Sequence, residues 1–568
     1  MEYTSENKTC QNCKASFAIE PDDFSFYEKI GVPAPTFCPA CRKQRRLAWR
    51  NDFVLHNNIC KLCNKKIVSV FSEESGMNTY CVKCWWSDAW TAEDYAQDYD
   101  FSRNFFEQYV EFIKKVPVLA VVNDNGIGSV NCEYTHDFSF SKDCYMTFVS
   151  WKGEHLMYVY YDLGGKYIVD SLDMLNGGEF LYENVFTDSC YKCCYAQNSV
   201  QCSESNFIYD CKNCIECLMC TGLRNKRYCY KNVQYTKEEY ERIVQEYKLD
   251  TYTGVLKAKE EFAQFVLSQI RKPYNTIHCS NCTGDLLLNG KNSKYCFNVQ
   301  RPEDSKWIEN SDSPTECYDL STGGELSLCY EGITPDHSHK NFFGIFSWKN
   351  QEVEFAHHCH SSKYVFACAG IRNGEYMVFN KRYSREEYYA LVDKIKAQMK
   401  EIPYVDSRGL VYAYGEFLPA ELSYFGYDET IAPLHFPLTK EEQVERGYVV
   451  SGEQDKTIGK ETVSFKDVPD SIYDAKDTLV NEIFACNTCS RSFRLIQEEF
   501  SFYRRMNIPL PRQCFYCRLH KRLSMKNPYE LWHRSCMKEG CTNEFETSYA
   551  PDRPETVYCE SCYQKEVL

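Results

Sequence analysis

The chain has no stretch long enough to cross a bilayer: its longest apolar run, Val116 to Val122, falls far short of the roughly 20 residues that a spanning helix needs. The opening residues MEYTSENKTC carry neither the basic nor the apolar region of a secretory leader, so a cytoplasmic protein is expected. There is no GxxxxGK[ST] to cradle phosphate, no nucleophile elbow and no HExxH, and the paired glycines at Gly164, Gly177 and Gly323 sit in strand-rich repeats rather than before helices. Enzymatic activity is therefore not expected, and no small-molecule substrate is evident. A formal charge of −15 also argues against polyanion binding by the molecule as a whole.

What is present in quantity is cysteine, 34 in 568 residues. In a long chain without a secretory leader, metal ligation is a commoner reason for so many thiols than disulfide bonding. The length itself exceeds what one core supports, so several domains are expected.

Comparison of the sequence with itself is the most informative step. Residues 10 to 51 align without a gap on residues 486 to 527 at a constant offset of 476, and Phe17, Phe24, Ser25, Phe26, Tyr27, Pro33, Pro35, Arg42, Arg46 and Leu47 recur. Each copy carries two cysteine quartets. The first has Cys10, Cys13, Cys38 and Cys41, then Cys60, Cys63, Cys81 and Cys84; the second has Cys486, Cys489, Cys514 and Cys517, then Cys536, Cys541, Cys559 and Cys562. A CxxC turn presents two sulfurs to one vertex pair of a zinc tetrahedron, and two turns close a site. Four structural zinc ions are expected, with no open coordination position for substrate. Interleaved pairing of neighbouring quartets would use the same residues, so spacing leaves their grouping open.

A second duplication lies between these modules, where Cys211 to Val244 aligns on Cys359 to Val392 at an offset of 148. Both copies end in a capping box, Thr236 with Glu239 and Ser384 with Glu387, which predicts an amphipathic helix closing each half. Short β-prone runs such as Lys166–Val169 and Phe207–Tyr209 recur between turns at roughly 10–15 residue spacing, which fits a β-solenoid-like centre, with a β-sandwich as the alternative.

The fold expected is thus multidomain and mainly β, with a few amphipathic helices. Its parts are a tandem zinc-ribbon module over 1–90, a helical connector over 91–125, β-repeat halves over 126–250 and 276–400 joined by a helix over 251–275, a strap and tether over 401–480, and a second zinc module over 481–568.

Charge is unevenly spread. From Arg42 to Lys66 the local net is +7, and from Arg504 to Lys526 it is again +7. Arg42, Lys43, Arg45 and Arg46 follow Cys41, and Arg518, Lys521 and Arg522 follow Cys517. These are candidate phosphate contacts to RNA. The bland reading is that they offset the −2 of each Zn(Cys)4 centre. Trp49, Trp85 and Trp86 lie nearby as candidate stacking platforms, or as core.

Two further patterns invite metal. Cys211, Cys214, Cys217 and Cys220 form CxxCxxCxxC, an iron–sulfur-like spacing, but the second half has Cys359, Ser362, Val365 and Cys368 there, which points to a ladder of buried thiols. His337 and His339, with His357, His358 and His360, lie about one repeat turn apart and could meet on one face.

The units CxxC…FxFYxxxxxPxPxxCxxCRxxRR, with CTNEFETSYAPDRPETVYCESCYQKEV near the C-terminus and PYVDSRGLVYAYGEFLPAELSYFGYDETIA before it, resemble uncharacterised zinc-ribbon, treble-clef-like proteins of small-genome candidate-phylum bacteria. The resemblance implies zinc at the sixteen quartet cysteines and carries no established activity. Some similar sequences bear a CoA-transferase label, for which no residue here speaks. The expected function is a non-enzymatic zinc-binding protein contacting RNA or a ribonucleoprotein, the alternatives being a protein–protein scaffold without nucleic acid and, more distantly, a redox or metal-handling protein.

Overall fold

The computed structural model describes residues 3–123, 129–452 and 457–567. The expected boundary between connector and first β half, at 125 and 126, and part of the tether from Gly452 to Lys460 lie outside the described residues.

The chain is mostly β. Its centre holds two large sheets, sixteen strands between Val130 and Gln234 and eleven between Thr276 and Arg382. Pairing is parallel and repeats with a step of about 12 residues: Phe148 lies opposite Tyr160 and Tyr160 opposite Leu172, while Glu154 lies opposite Lys166. The strand that ends each series instead turns back antiparallel, at Val233–Gln234 and Lys381–Arg382.

Most strands are about four residues long, with two of ten at Lys306–Thr315 and Tyr318–Ser327, and every third residue along them is left-handed. Asp143, Met146, Val149, Lys152, His155, Tyr158 and Tyr161 all have φ between 45° and 61°, a region that costs a β-branched or bulky residue and persists only where packing over-determines it. The residue after each such corner turns inward. Through one stretch these are Cys190, Cys193, Ala196, Ser199, Cys202, Ser205 and Ile208, all buried. Small side chains are required because each short-sided turn encloses little space. Interior hydroxyls and thiols bond to the backbone: Ser199 Oγ donates to the Gln197 carbonyl at 2.9 Å and Cys202 Sγ to the Val200 carbonyl at 3.5 Å.

Both predicted closing helices form, over Lys237–Glu246 and Arg385–Glu401, each with its reciprocal capping box. The expected linking helix runs over Tyr252–Leu267. In the connector a short 3-10 turn at Ala92–Tyr95 precedes a helix at Phe105–Lys115, whose Phe105, Phe106, Tyr109 and Phe112 are buried.

The two end modules repeat in structure as in sequence. The helix Pro21–Ile30 stops at Gly31 (φ 71°), and its counterpart Gln497–Met506 stops at Asn507 (φ 54°), residue types that tolerate the left-handed cap. Each is followed by a second, basic helix, Pro39–Leu47 and Phe515–Leu523. The strap is interior: Phe425 stacks on Phe71 at 5.2 Å and Tyr424 meets the edge of Trp49 at 5.1 Å.

Candidate metal centres

Each CxxC sits at the tip of a hairpin or the start of a helix. The hairpin Glu6–Thr9 with Ser16–Ile19 brings Cys10 and Cys13 to its turn, and Cys38 caps the helix carrying Cys41. In all four cases the sulfurs gather as the sequential quartets: Cys10, Cys13, Cys38 and Cys41; Cys60, Cys63, Cys81 and Cys84; Cys486, Cys489, Cys514 and Cys517; and Cys536, Cys541, Cys559 and Cys562, all within 4.8 Å of one another in each group. Interleaved grouping is thereby set aside.

The donor sets fit a tetrahedral ion. Sulfurs about 2.3 Å from a central ion lie roughly 3.8 Å apart, and Cys13 to Cys38 is 3.6 Å, Cys489 to Cys514 3.6 Å and Cys541 to Cys559 3.9 Å. Backbone amides already point at sulfur: Cys38 N–H to Cys10 Sγ at 3.3 Å, Cys81 N–H to Cys60 Sγ at 3.2 Å and Cys559 N–H to Cys536 Sγ at 3.2 Å. The side-chain amide of Asn12 donates to Cys41 Sγ at 3.3 Å. Such donors stabilise thiolates.

The basic residues are not where either reading of the sequence put them. Arg42, Arg45 and Arg46 are 1%, 3% and 1% exposed, and they face the second β half and the strap instead of solvent or the thiolates. Arg42 Nη2 is 2.8 Å from Asp319 and Arg46 Nη1 3.2 Å from the other oxygen of the same carboxylate. Arg45 spans Glu331 at 2.7 Å and Glu416 at 2.8 Å, and Lys43 pairs with Glu309.

The C-terminal module repeats this on the first β half. Arg518 and Arg522 each lie 2.9 Å from one oxygen of Asp170, and Arg518 also reaches Glu499 at 3.2 Å. The expectation of phosphate contact is corrected for six of the seven residues, because a buried guanidinium or ammonium committed to protein carboxylates is out of reach of a polyanion in solvent. Lys521 alone is exposed and, among the described residues, has no ion-pair partner. Trp49 and Trp85 are fully buried, so they are core and not stacking platforms.

The acceptor carboxylates went unnoticed in the sequence. Asp137, Asp170, Asp173, Asp319 and Glu331 all occupy left-handed corners, with φ between 46° and 59°, and corner side chains face outward toward the modules. The available signal was the matched spacing: acids about 149 apart in the centre, arginines 476 apart in the modules.

Cys211, Cys214, Cys217 and Cys220 are buried inward-facing corner followers, each donating to the carbonyl two residues earlier at 3.3–3.6 Å. Among the described residues they form no four-sulfur group. The histidines do not converge either. Asp336 and His360 are two pairing steps apart, through Trp348, not one. His337 bonds Asp336 at 2.6 Å, His339 bonds Ser327 at 2.7 Å and His357 bonds Tyr424 at 2.9 Å. His358 and His360 are buried.

No protein-family model matches the chain, and no curated protein matches it. Among solved structures, one from Desulfovibrio desulfuricans G20, described as a "putative acetyltransferase", matches at 8% identity over 51% of this chain and 86% of that one, with a TM-score of 0.10. A score that low carries neither fold nor function across. No helix among the described residues is long and apolar enough to cross a membrane.

Proposed function

We propose that this is a non-enzymatic, zinc-stabilised scaffold for protein–protein interaction, in which two zinc-ribbon modules clamp a β-solenoid centre into one body. The 12-residue pairing step supports the solenoid reading, since it lets successive turns stack like side chains in files. Zinc is the ion that suits four all-thiolate, closed tetrahedral sites, and four such ions contribute roughly 10–16 kcal/mol each of apparent binding energy to folding.

The observation that carries the scaffold reading over RNA contact is the burial of the basic helices. The basic helices within the twin +7 stretches are committed to carboxylates of the β centre and strap, so they offer a polyanion nothing to engage. The experiment is binding of the zinc-loaded chain to structured RNA, single-stranded RNA and duplex DNA at low and physiological salt. The proposal expects no retention at physiological salt and protein partners that stay bound after nuclease treatment. RNA binding that persists near physiological salt and falls steeply as salt rises would overturn it.

A further inference from the structure

The two modules differ at one equivalent place. In the N-terminal module Arg45 and Thr36 share the carboxylate of Glu416: Arg45 Nη1 at 2.8 Å, the Thr36 hydroxyl at 2.6 Å and the Thr36 amide at 2.9 Å. The residues 476 positions later are Lys521 and Arg512, both cationic, and no acid takes the part of Glu416. Among the described residues neither has a carboxylate within ion-pair distance.

A cavity lies at this place in both modules; the N-terminal one is lined by Thr36 and Glu416, whereas the C-terminal one, of about 130 Å³, is lined by Arg512, Lys521, Lys259, Glu183, Tyr195 and Tyr252 among others. Lys259 is already committed to Glu183 at 2.5 Å. Arg512 is 7% exposed, its guanidinium lies over Tyr252 and Phe465, and Nη2 donates to the carbonyls of Val468 and Pro469 at 3.1 and 2.9 Å. Its Nη1 has no hydrogen-bond partner. Lys521 is held below its ordinary pKa chiefly by the charge of Lys259 and then by burial, with Glu183 opposing, as expected for an ammonium group beside another that already holds the nearby carboxylate. Four cations line the cavity, and with Arg518 committed to Asp170 and Glu499 and Lys259 to Glu183, Arg512 and Lys521 are left without a carboxylate.

We propose that this cavity binds phosphate or a small phosphomonoester, whose oxygens take the place that the Glu416 carboxylate holds in the other module. A phosphate dianion offers several acceptors to converging donors and matches the excess charge, and charge-assisted hydrogen bonds of this type are the strong ones.

The test is calorimetric titration of the zinc-loaded full chain with inorganic phosphate, AMP and acetate. Saturable one-to-one binding of phosphate or AMP is expected, weakened at least tenfold in Lys521→Gln and in Arg512→Gln. Lys521 is on the surface, so its variant keeps the fold even if Arg512→Gln does not. AMP binding tighter than phosphate assigns a phosphomonoester with a planar group; equal affinity assigns phosphate itself. Absence of saturable binding at millimolar phosphate and AMP, equal binding of acetate, or affinity unchanged in Lys521→Gln would overturn the assignment.

Discussion

Arg518 and Asp170 lie 2.9 Å apart with both side chains almost wholly excluded from solvent, and Arg42 with Asp319 repeats the relationship at 2.8 Å. These arginine clamps are crossed, the N-terminal one on the second β half and the C-terminal one on the first, while Arg50 reaches Asp137 of the first half and Ser548 bonds Asp285 of the second. A second arginine one helical turn on, Arg522 or Arg46, completes each clamp on the same carboxylate.

Removing one member of such a clamp leaves the other charged, buried and unpaired, which costs about 3–5 kcal/mol, whereas replacing pair and partner together by apolar residues costs much less. Asp170→Asn and Asp319→Asn are each expected to lower the unfolding free energy of the zinc-loaded chain by about that amount. A triple replacement of Asp170, Arg518 and Arg522 by apolar residues should recover part of the loss. Equilibrium unfolding of the variants measures both.

The buried imidazoles give stability a pH dependence. His136, His357 and His360 are held well below the ordinary histidine range and His358 is pushed down to about 3, in each case first by burial. The folded chain keeps them neutral while the unfolded chain takes up protons near pH 6.5, so the stability they contribute is present above that pH and is lost as pH falls. Each contributes a slope of about 1.4 kcal/mol per pH unit. Five buried acids oppose this: Asp137, Asp162 and Glu331 are each raised to about 7, and Asp173 and Glu499 are raised as well, in every case first by burial. The histidine contribution is isolated by comparison: between pH 7.5 and 5.5 the His136→Asn, His358→Asn double variant should lose less stability, or gain more, than the unaltered chain.

The central thiols are interior filling. Cys214→Ser with Cys217→Ser should leave the metal content unchanged, and Cys214→Phe should destabilise by about 1–3 kcal/mol through overpacking. Metal analysis and thermal melts of the purified variants separate these roles, and loss of bound metal from the serine pair would show that the thiols hold an ion.

Much of this was legible before the structure. The sixteen ligand cysteines, both duplications and both capped helices follow from spacing, because a metal tetrahedron and a helix start each demand fixed residue types at fixed intervals, whereas the grouping of the cysteines needed the structure. The three-residue rhythm of the centre was missed, although Cys211, Cys214, Cys217 and Cys220 display it, because a run of cysteines suggests a ligand set before it suggests small interior fillers. The strand at Lys166–Val169 was readable as a β-prone run, but the left-handed Tyr167 within it was not, because a tyrosine gives no reason to expect that conformation. The burial of Arg42 and Arg518 was invisible for a different cause: their carboxylates lie hundreds of residues away in sequence, and only the crossed docking brings them together.

The central claim is that zinc builds the modules that clamp the β centre, and native mass spectrometry of the purified full chain, alone and as Cys38→Ser, Cys41→Ser, tests it most directly. Four zinc ions per chain, falling to three in the variant, are predicted. A chain that remains compact and folded with no bound metal would contradict the claim.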